Sequence, residues 1–259
     1  MLEIVVTIGI GFVLGFLIGL TGVGGGALVA PALYVILGLG YSAAVSLSVI
    51  YSVFTKVVGF VQHLRLANID WKLTLAYGLP AVPGAVVGAY VLYAAPHLER
   101  VFALLMVGIL IVVALAILAE AAVGALARGA RPFDSDRLGP SAIVAVVSIG
   151  FFVGILLGVT SVGSGSVVIL SMLLLFRIPA RRMVGTNIAI ALVMTVPAGL
   201  THALVGGVDV RRLILLMAGS IAGTLLGSRG TIWLADRQLR IAIGAILVLS
   251  AIATMLKAW

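Results

Sequence analysis

Lys56 stands near the middle of an apolar stretch, residues 43–64. An ammonium at that depth in a bilayer is costly and marks a functional candidate. The acidic residues are Glu3, Asp70, Glu99, Glu120, Asp134, Asp136, Asp209 and Asp236, and each falls at a segment end or in a polar linker. With no mid-span carboxylate beside Lys56, a small anion is a fitting counter-ion; snorkelling or pairing with backbone carbonyls is the other reading. On a helix, Ser48, Ser52, Lys56, Gly59 and His63 share one face. A second stripe, Asn187, Ala191, Thr195, Ala198 and His202, stands at the same spacing further along.

Two glycine-rich breaks supply a second kind of anion chemistry. They read "GLTGVGGGALVAP" (19–31) and "GVTSVGSGSVVIL" (158–170). Glycine and proline disfavour helix, so each run interrupts one helix and starts another. A helix that starts inside a membrane presents backbone N–H groups with no intrahelical partner and carries partial positive charge, which suits an anion. The donors would be the backbone of Gly22, Gly24, Gly25 and Gly26 with the Thr21 hydroxyl. In the second break they would be Thr160, Ser161, Gly163, Ser164, Gly165 and Ser166. Asn187 and Lys56 complete the candidate substrate-binding set. The competing reading is close helix packing through small residues. For His63 and His202, proton handling and a packing or interfacial role stand side by side. Asp70 and Asp209, each just before a span, read as helix N-caps.

The elements that must hold these residues are membrane helices. The chain has 259 residues, 63% hydrophobic and 9% charged, with a mean hydropathy of +1.33. Apolar runs of helix-spanning length recur throughout, which implies an all-α polytopic membrane protein with the lipid bilayer as its partner. The absence of Cys removes disulfides and thiolate metal sites. The N-terminus lacks the positive region of a secretory signal, so residues 2–20 are expected as a retained span. The net charge of +8 reads as basic loops, not as a nucleic-acid surface.

The chain also repeats. Shifted by 139 residues, its halves align without a gap from Gly11 to about Leu92, with ten identities in the nineteen positions 11–29. His63 falls on His202, Asp70 on Asp209, Gly84 on Gly223 and Gly88 on Gly227. Each half holds five apolar segments, at about 2–20, 26–39, 43–64, 72–94 and 99–121, then 141–159, 165–178, 183–205, 211–233 and 239–257. The second segment of each half is short and follows the glycine break. Residues 1–126 and 141–259 are expected as two repeats joined by a cytoplasmic linker, 127–140. If all ten segments cross, eleven basic residues face one side; Arg100, Arg211, Arg212 and Lys257 face the other. That bias favours ten crossings with both termini outside, and five per half makes the repeats inverted in topology.

At these residues the chain resembles the TauE/SafE family of sulfite-exporter-like membrane permeases. "GLTGVGGGALVAPAL" and "HLRLANIDW" are similar to the family's first half, and "GVTSVGSGSVV", "VGTNIAIAL" and "THALVGGVD" to its second. The resemblance implies transport of small sulfur-containing anions (sulfite, sulfonates and related compounds) across a bacterial or archaeal cytoplasmic membrane. It extends to Thr21–Gly26, Thr160–Ser166, Gly185–Asn187 and the regions of His63 and His202. In the first half Asn68-Ile69-Asp70-Trp71 fits the family pattern, whereas Gly207-Val208-Asp209-Val210 departs from it.

Three function classes can be weighed. A cation transporter normally presents mid-span carboxylates, which are absent. An intramembrane enzyme needs a catalytic constellation, and neither His-x-x-x-His nor Gly-x-Ser-x-Gly occurs. A secondary transporter of small anions accounts for helix N-termini, hydroxyls and Lys56 together, with no cofactor or metal. A proton- or cation-coupled permease for another small solute, or an anion channel, is the alternative. Substrate, direction and oligomeric state stay open at this level.

Overall fold

The computed structural model describes residues 2–21, 25–123, 139–163, 165–176, 178–230 and 236–259. Ten α-helices account for nearly all of them. They are α1 (Leu2–Thr21), α2 (Gly26–Val35), α3 (Tyr41–Arg65), α4 (Trp71–Ala94), α5 (Glu99–Val123), α6 (Pro140–Thr160), α7 (Ser166–Leu175), α8 (Ala180–Val205), α9 (Val210–Gly230) and α10 (Asp236–Ala258). Among the described residues seven helices are long and apolar enough to cross a membrane. Many of their large apolar side chains, among them Val58, Leu79, Val144, Phe152 and Leu225, are exposed on the outside of the bundle, as lipid requires. The expected linker, 127–140, falls almost wholly outside the described residues.

The two short segments are shorter still than expected. Helices α2 and α7 have ten residues each, about 15 Å at 1.5 Å per residue. That is about half of a 30 Å hydrocarbon core. Pro31 is the sixth residue of α2, past the first turn, so the helix forgoes one i→i−4 hydrogen bond there.

The repeat is visible in the packing. Helix α1 lies along α9, and α4 lies along α6; each of these pairs joins the halves. The contacts are made by glycines with no room for a side chain. A Cβ on Gly11 would overlap the carbonyl of Leu216, and one on Gly150 that of Tyr77. Gly223 abuts the Phe12 carbonyl, and Gly84 the Phe151 carbonyl. Each member of one contact stands 139 residues from its counterpart in the other, so one interface is built twice. Helices α3 and α8 face each other across the centre, and α5 packs on α10.

Side-chain contacts sort the helix ends. Glu3 pairs with Arg212, Arg100 stacks on Trp259, and Lys257 donates to the Tyr34 carbonyl. The Tyr41 hydroxyl donates to Phe102 O at 3.0 Å, and Ser46 Oγ to Gly207 O at 3.5 Å. These residues form one end of the bundle. Arg100, Arg212 and Lys257 are three of the four basic residues assigned above to the sparse side. At the opposite end Asp70 pairs with Arg182.

Candidate functional site

The polar stripe on α3 is buried. Ser48, Ser52 and Lys56 are 0%, 1% and 8% exposed, in a helix otherwise flanked by apolar side chains. Their four-residue spacing keeps them on one face, which turns toward α8, the start of α2 and the end of α6. Lys56 is an interior residue of a 25-residue helix.

The start of α2 meets the end of α6 on this stripe. A Cβ on Gly25 would lie 2.9 Å from the Tyr51 ring and 3.2 Å from Ser52 Oγ. One on Gly26 would overlap the Ser161 carbonyl. Ser161 takes a left-handed conformation, φ 62°, to end α6, and its hydroxyl donates to Ser48 Oγ at 2.8 Å. The two breaks therefore come together inside the protein, beside residues 48–52. Gly25 and Gly26 are required here by protein contacts, which is the packing reading of those two glycines. Gly163, φ +113°, needs glycine for its backbone conformation, and Gly165 accepts the Ile169 N–H as α7 begins.

Thr160 shapes its own turn. Its hydroxyl donates to Leu156 O at 2.6 Å and accepts from the Val162 N–H at 3.1 Å. Gly22, Gly24 and Ser164 lie outside the described residues, as do the side chains of Thr21 and Ser166.

Asn187 does not join the cluster around Ser161. Gly59 lies beside Ile188 and Gly199 beside Val53, so α3 and α8 run antiparallel. In that register Asn187 stands toward one end of the seam and Ser48 toward the other, with Lys56 between. The seam thus carries two polar clusters instead of one. Two of its buried polar atoms, Ser52 Oγ and Asn187 Oδ1, have no hydrogen-bond partner. Buried polar atoms are nearly always paired, and the exceptions mark strain, bound water or a ligand.

The two histidines have different surroundings. His202 is fully buried. Its Nδ1 meets the Tyr93 hydroxyl at 3.0 Å, its Nε2 meets Gly158 O at 3.0 Å, and its ring stacks edge-on against Tyr93. It ties α8 to α4 and α6. His63 is half-buried, and its Nδ1 has no partner.

Both aspartates cap helices. Asp70 Oδ1 accepts from Lys72 N and Leu73 N at 3.1 and 3.2 Å; Asp209 Oδ1 accepts from Arg212 N at 2.9 Å. Spacing alone did not reveal what surrounds Asp70. Its N–H donates to Thr186 Oγ1 at 2.8 Å, and its carboxylate lies 3.2 Å from Arg182. Gly185 packs against the Asn68 carbonyl beside them.

The family model for the sulfite exporter TauE/SafE matches residues 7–254. A probable membrane transporter protein of Bacillus subtilis, YjnA, is 32% identical over 93% of this chain and 96% of its own length. A second from the same organism, YunE, is 26% identical over 88% of each chain. A probable membrane transporter protein of Methanocaldococcus jannaschii, MJ0441, is 32% identical over 27% of this chain and 28% of its own. No solved structure matches.

Proposed function

The chain belongs to the sulfite exporter TauE/SafE family of multi-pass membrane transporters, and on that premise we propose that it is a secondary carrier of small sulfur-containing oxyanions. Sulfite and small sulfonates are the expected substrates. The anion binds along the α3–α8 seam at Lys56, with Ser52 and the start of α2 as hydrogen-bond donors. One observation carries this reading: a buried ammonium shares a polar stripe with Ser52, whose hydroxyl is buried without a partner. Hydrogen bonds from Ser52 and the Lys56 ammonium to oxyanion oxygens would give the Ser52 hydroxyl its partner.

The same reading makes the repeats inverted, with ten crossings, both termini outside and the 127–140 linker in the cytoplasm. Support comes from the basic-residue bias and from the gathering of Glu3, Arg100, Arg212 and Lys257 at one end of the bundle. The bacterial and archaeal relatives favour a cytoplasmic membrane. His63, with its open Nδ1, is the better placed of the two histidines to couple a proton.

The test is uptake and efflux in proteoliposomes with sulfite, thiosulfate, sulfate and small sulfonates, with and without a pH gradient. Saturable flux of sulfite or a sulfonate, reduced by Lys56→Met, is the expected result. Equal flux in protein-free vesicles would remove the proposal.

A further inference from the structure

The 139-residue repeat allows the two ends of the seam to be compared residue by residue. At the Asp209 end a cavity of about 380 Å3 opens between α3 and the α8–α9 connection. Leu39, Ala43, Ser46, Leu47, Gly207 and Asp209 line it. Their counterparts at the other end are Ile178, Arg182, Gly185, Thr186, Asn68 and Asp70. Those residues are shut together. Arg182 lies 3.2 Å from the Asp70 carboxylate and the Asp70 N–H donates to Thr186 at 2.8 Å, whereas the close approach of Gly185 to Asn68 has its counterpart in Ser46 and Gly207 and is common to both ends.

Helix packing shows the same asymmetry independently. Helix α4 packs closely along α8, where a Cβ on Gly78 would lie 3.0 Å from the Val193 side chain. The counterpart pair, α9 and α3, makes few contacts. These two helices are joined at depth by the hydrogen bond between the Tyr51 and Ser220 hydroxyls, and the cavity lies beyond it. Two ends related by a repeat have therefore taken two conformations, one open and one closed.

We infer that this conformation is one of two alternating-access states, in which the Asp209-end cavity is the substrate's mouth and the Asp70–Arg182–Thr186 contact is the closed gate. The inference rests on the carrier reading of the α3–α8 seam. The cavity wall reaches Leu47, next to Ser48, so it leads to one end of the seam. Asn187, next to Thr186, stands directly behind the closed gate. In the opposite state α4 and α8 part as α3 and α9 close, and the Arg182 pair breaks. At the Asp209 end Arg182's counterpart is Ala43, and Asp209 pairs instead with Arg212 of the helix it caps, 3.3 Å away, so no pair across the seam is available there. The charge pair therefore favours the state observed.

Thiol labelling tests this without knowledge of the substrate. Leu39→Cys and Ile178→Cys are repeat counterparts, and the chain has no other Cys. A methanethiosulfonate reagent is applied from each face of oriented vesicles. Leu39→Cys should label faster than Ile178→Cys. Adding Arg182→Ala, which installs the residue found at position 43, should raise the Ile178→Cys rate about fivefold, the shift that loss of about 1 kcal/mol from a partly exposed pair produces. The Leu39→Cys rate should fall at the same time. Asp70→Asn keeps a capping side chain and should act in the same direction. Equal labelling at the two positions, or rates indifferent to Arg182→Ala in a protein that elutes as a folded species, would overturn the gate. A flux failure with every anion alongside the predicted labelling would leave the gate standing and remove only the substrate.

Discussion

At the α1–α9 interface Gly15 abuts the Ser220 carbonyl, and at the α4–α6 interface Gly154 abuts the carbonyl of Ala81, its repeat counterpart. At the two ends of the α3–α8 seam, by contrast, Ala43 lines a cavity where Arg182 makes an ion pair. The frame has kept its duplicate contacts; the seam keeps the Ser46–Gly207 and Gly185–Asn68 pair and differs in the residues around it. Backbone-to-backbone approach tolerates only glycine on one side, so a change there costs the whole interface. The seam is lined by side chains, which can diverge one at a time and create charge, hydroxyls or an ion pair on one side only. Duplication gives the frame its symmetry; divergence in the seam gives each end its own chemistry.

The largest expected effect falls on the frame. Gly15→Val and Gly154→Val should each cost about 3 kcal/mol or more, because the new side chain meets a carbonyl that cannot move alone. Thermal unfolding in detergent should show both variants failing alike. Tolerance of one and not the other would break the equivalence of the two interfaces.

Next comes the seam. Lys56→Met keeps bulk and removes charge, and it should lower the apparent affinity for sulfite about tenfold to a hundredfold, as for loss of hydrogen bonds to a charged group. Its unfolding temperature should hold or rise, since a buried ammonium is costly to keep. Unchanged flux with a lower unfolding temperature would make Lys56 a structural residue. Lys56→Arg should not restore full flux, because the guanidinium is larger and planar.

The histidines divide along the same line. His202→Gln should cost about 1–3 kcal/mol of stability, since it strands the Tyr93 hydroxyl or the Gly158 carbonyl in the interior. His63→Gln should leave stability near that of the unaltered chain and reduce the dependence of flux on an imposed pH gradient. A gradient dependence that survives His63→Gln would take His63 out of the coupling step.

Most of the helical frame was legible in the sequence. Ten apolar runs became ten helices, and the glycine breaks marked where α2 and α7 begin. The Asp70 and Asp209 caps were legible too, because a capping carboxylate acts on amides two or three residues away. What surrounds His202 was not. Tyr93 is 109 residues distant, and its repeat counterpart is Ile232, so the offset offered no hint of the pair. Arg182 was hidden for the same reason, with Ala43 at the matching place. The role of Gly25 and Gly26 could not be read either. In sequence a glycine needed by a ligand looks the same as one needed by a protein neighbour, here the Tyr51 ring beside Gly25 and the Ser161 carbonyl beside Gly26. Asn187 joins the candidate set through its stripe on one helix face and through the resemblance; the antiparallel register of α3 and α8 places it apart from Ser161.

The smallest effect belongs to the exposed cap. Asp209→Ala should cost about 1 kcal/mol, the usual value of an N-cap. Asp70→Ala should cost more, because the Asp70 carboxylate that faces Arg182 is buried, whereas the Asp209 carboxylate that faces Arg212 is exposed. Equal unfolding temperatures for the two would mean that the Arg182 contact adds nothing to the closed end.

The central claim is that an oxyanion sits on the α3–α8 seam at Lys56. Selenite has the shape and charge of sulfite and scatters anomalously, so crystals grown with it would locate the anion directly. The account predicts one anomalous peak within hydrogen-bond distance of Lys56 Nζ and Ser52 Oγ, beside Gly25 and Gly26, and its loss in Lys56→Met. A peak confined to Arg211 and Arg212 at the bundle's end, with the seam empty at saturating selenite, would contradict it.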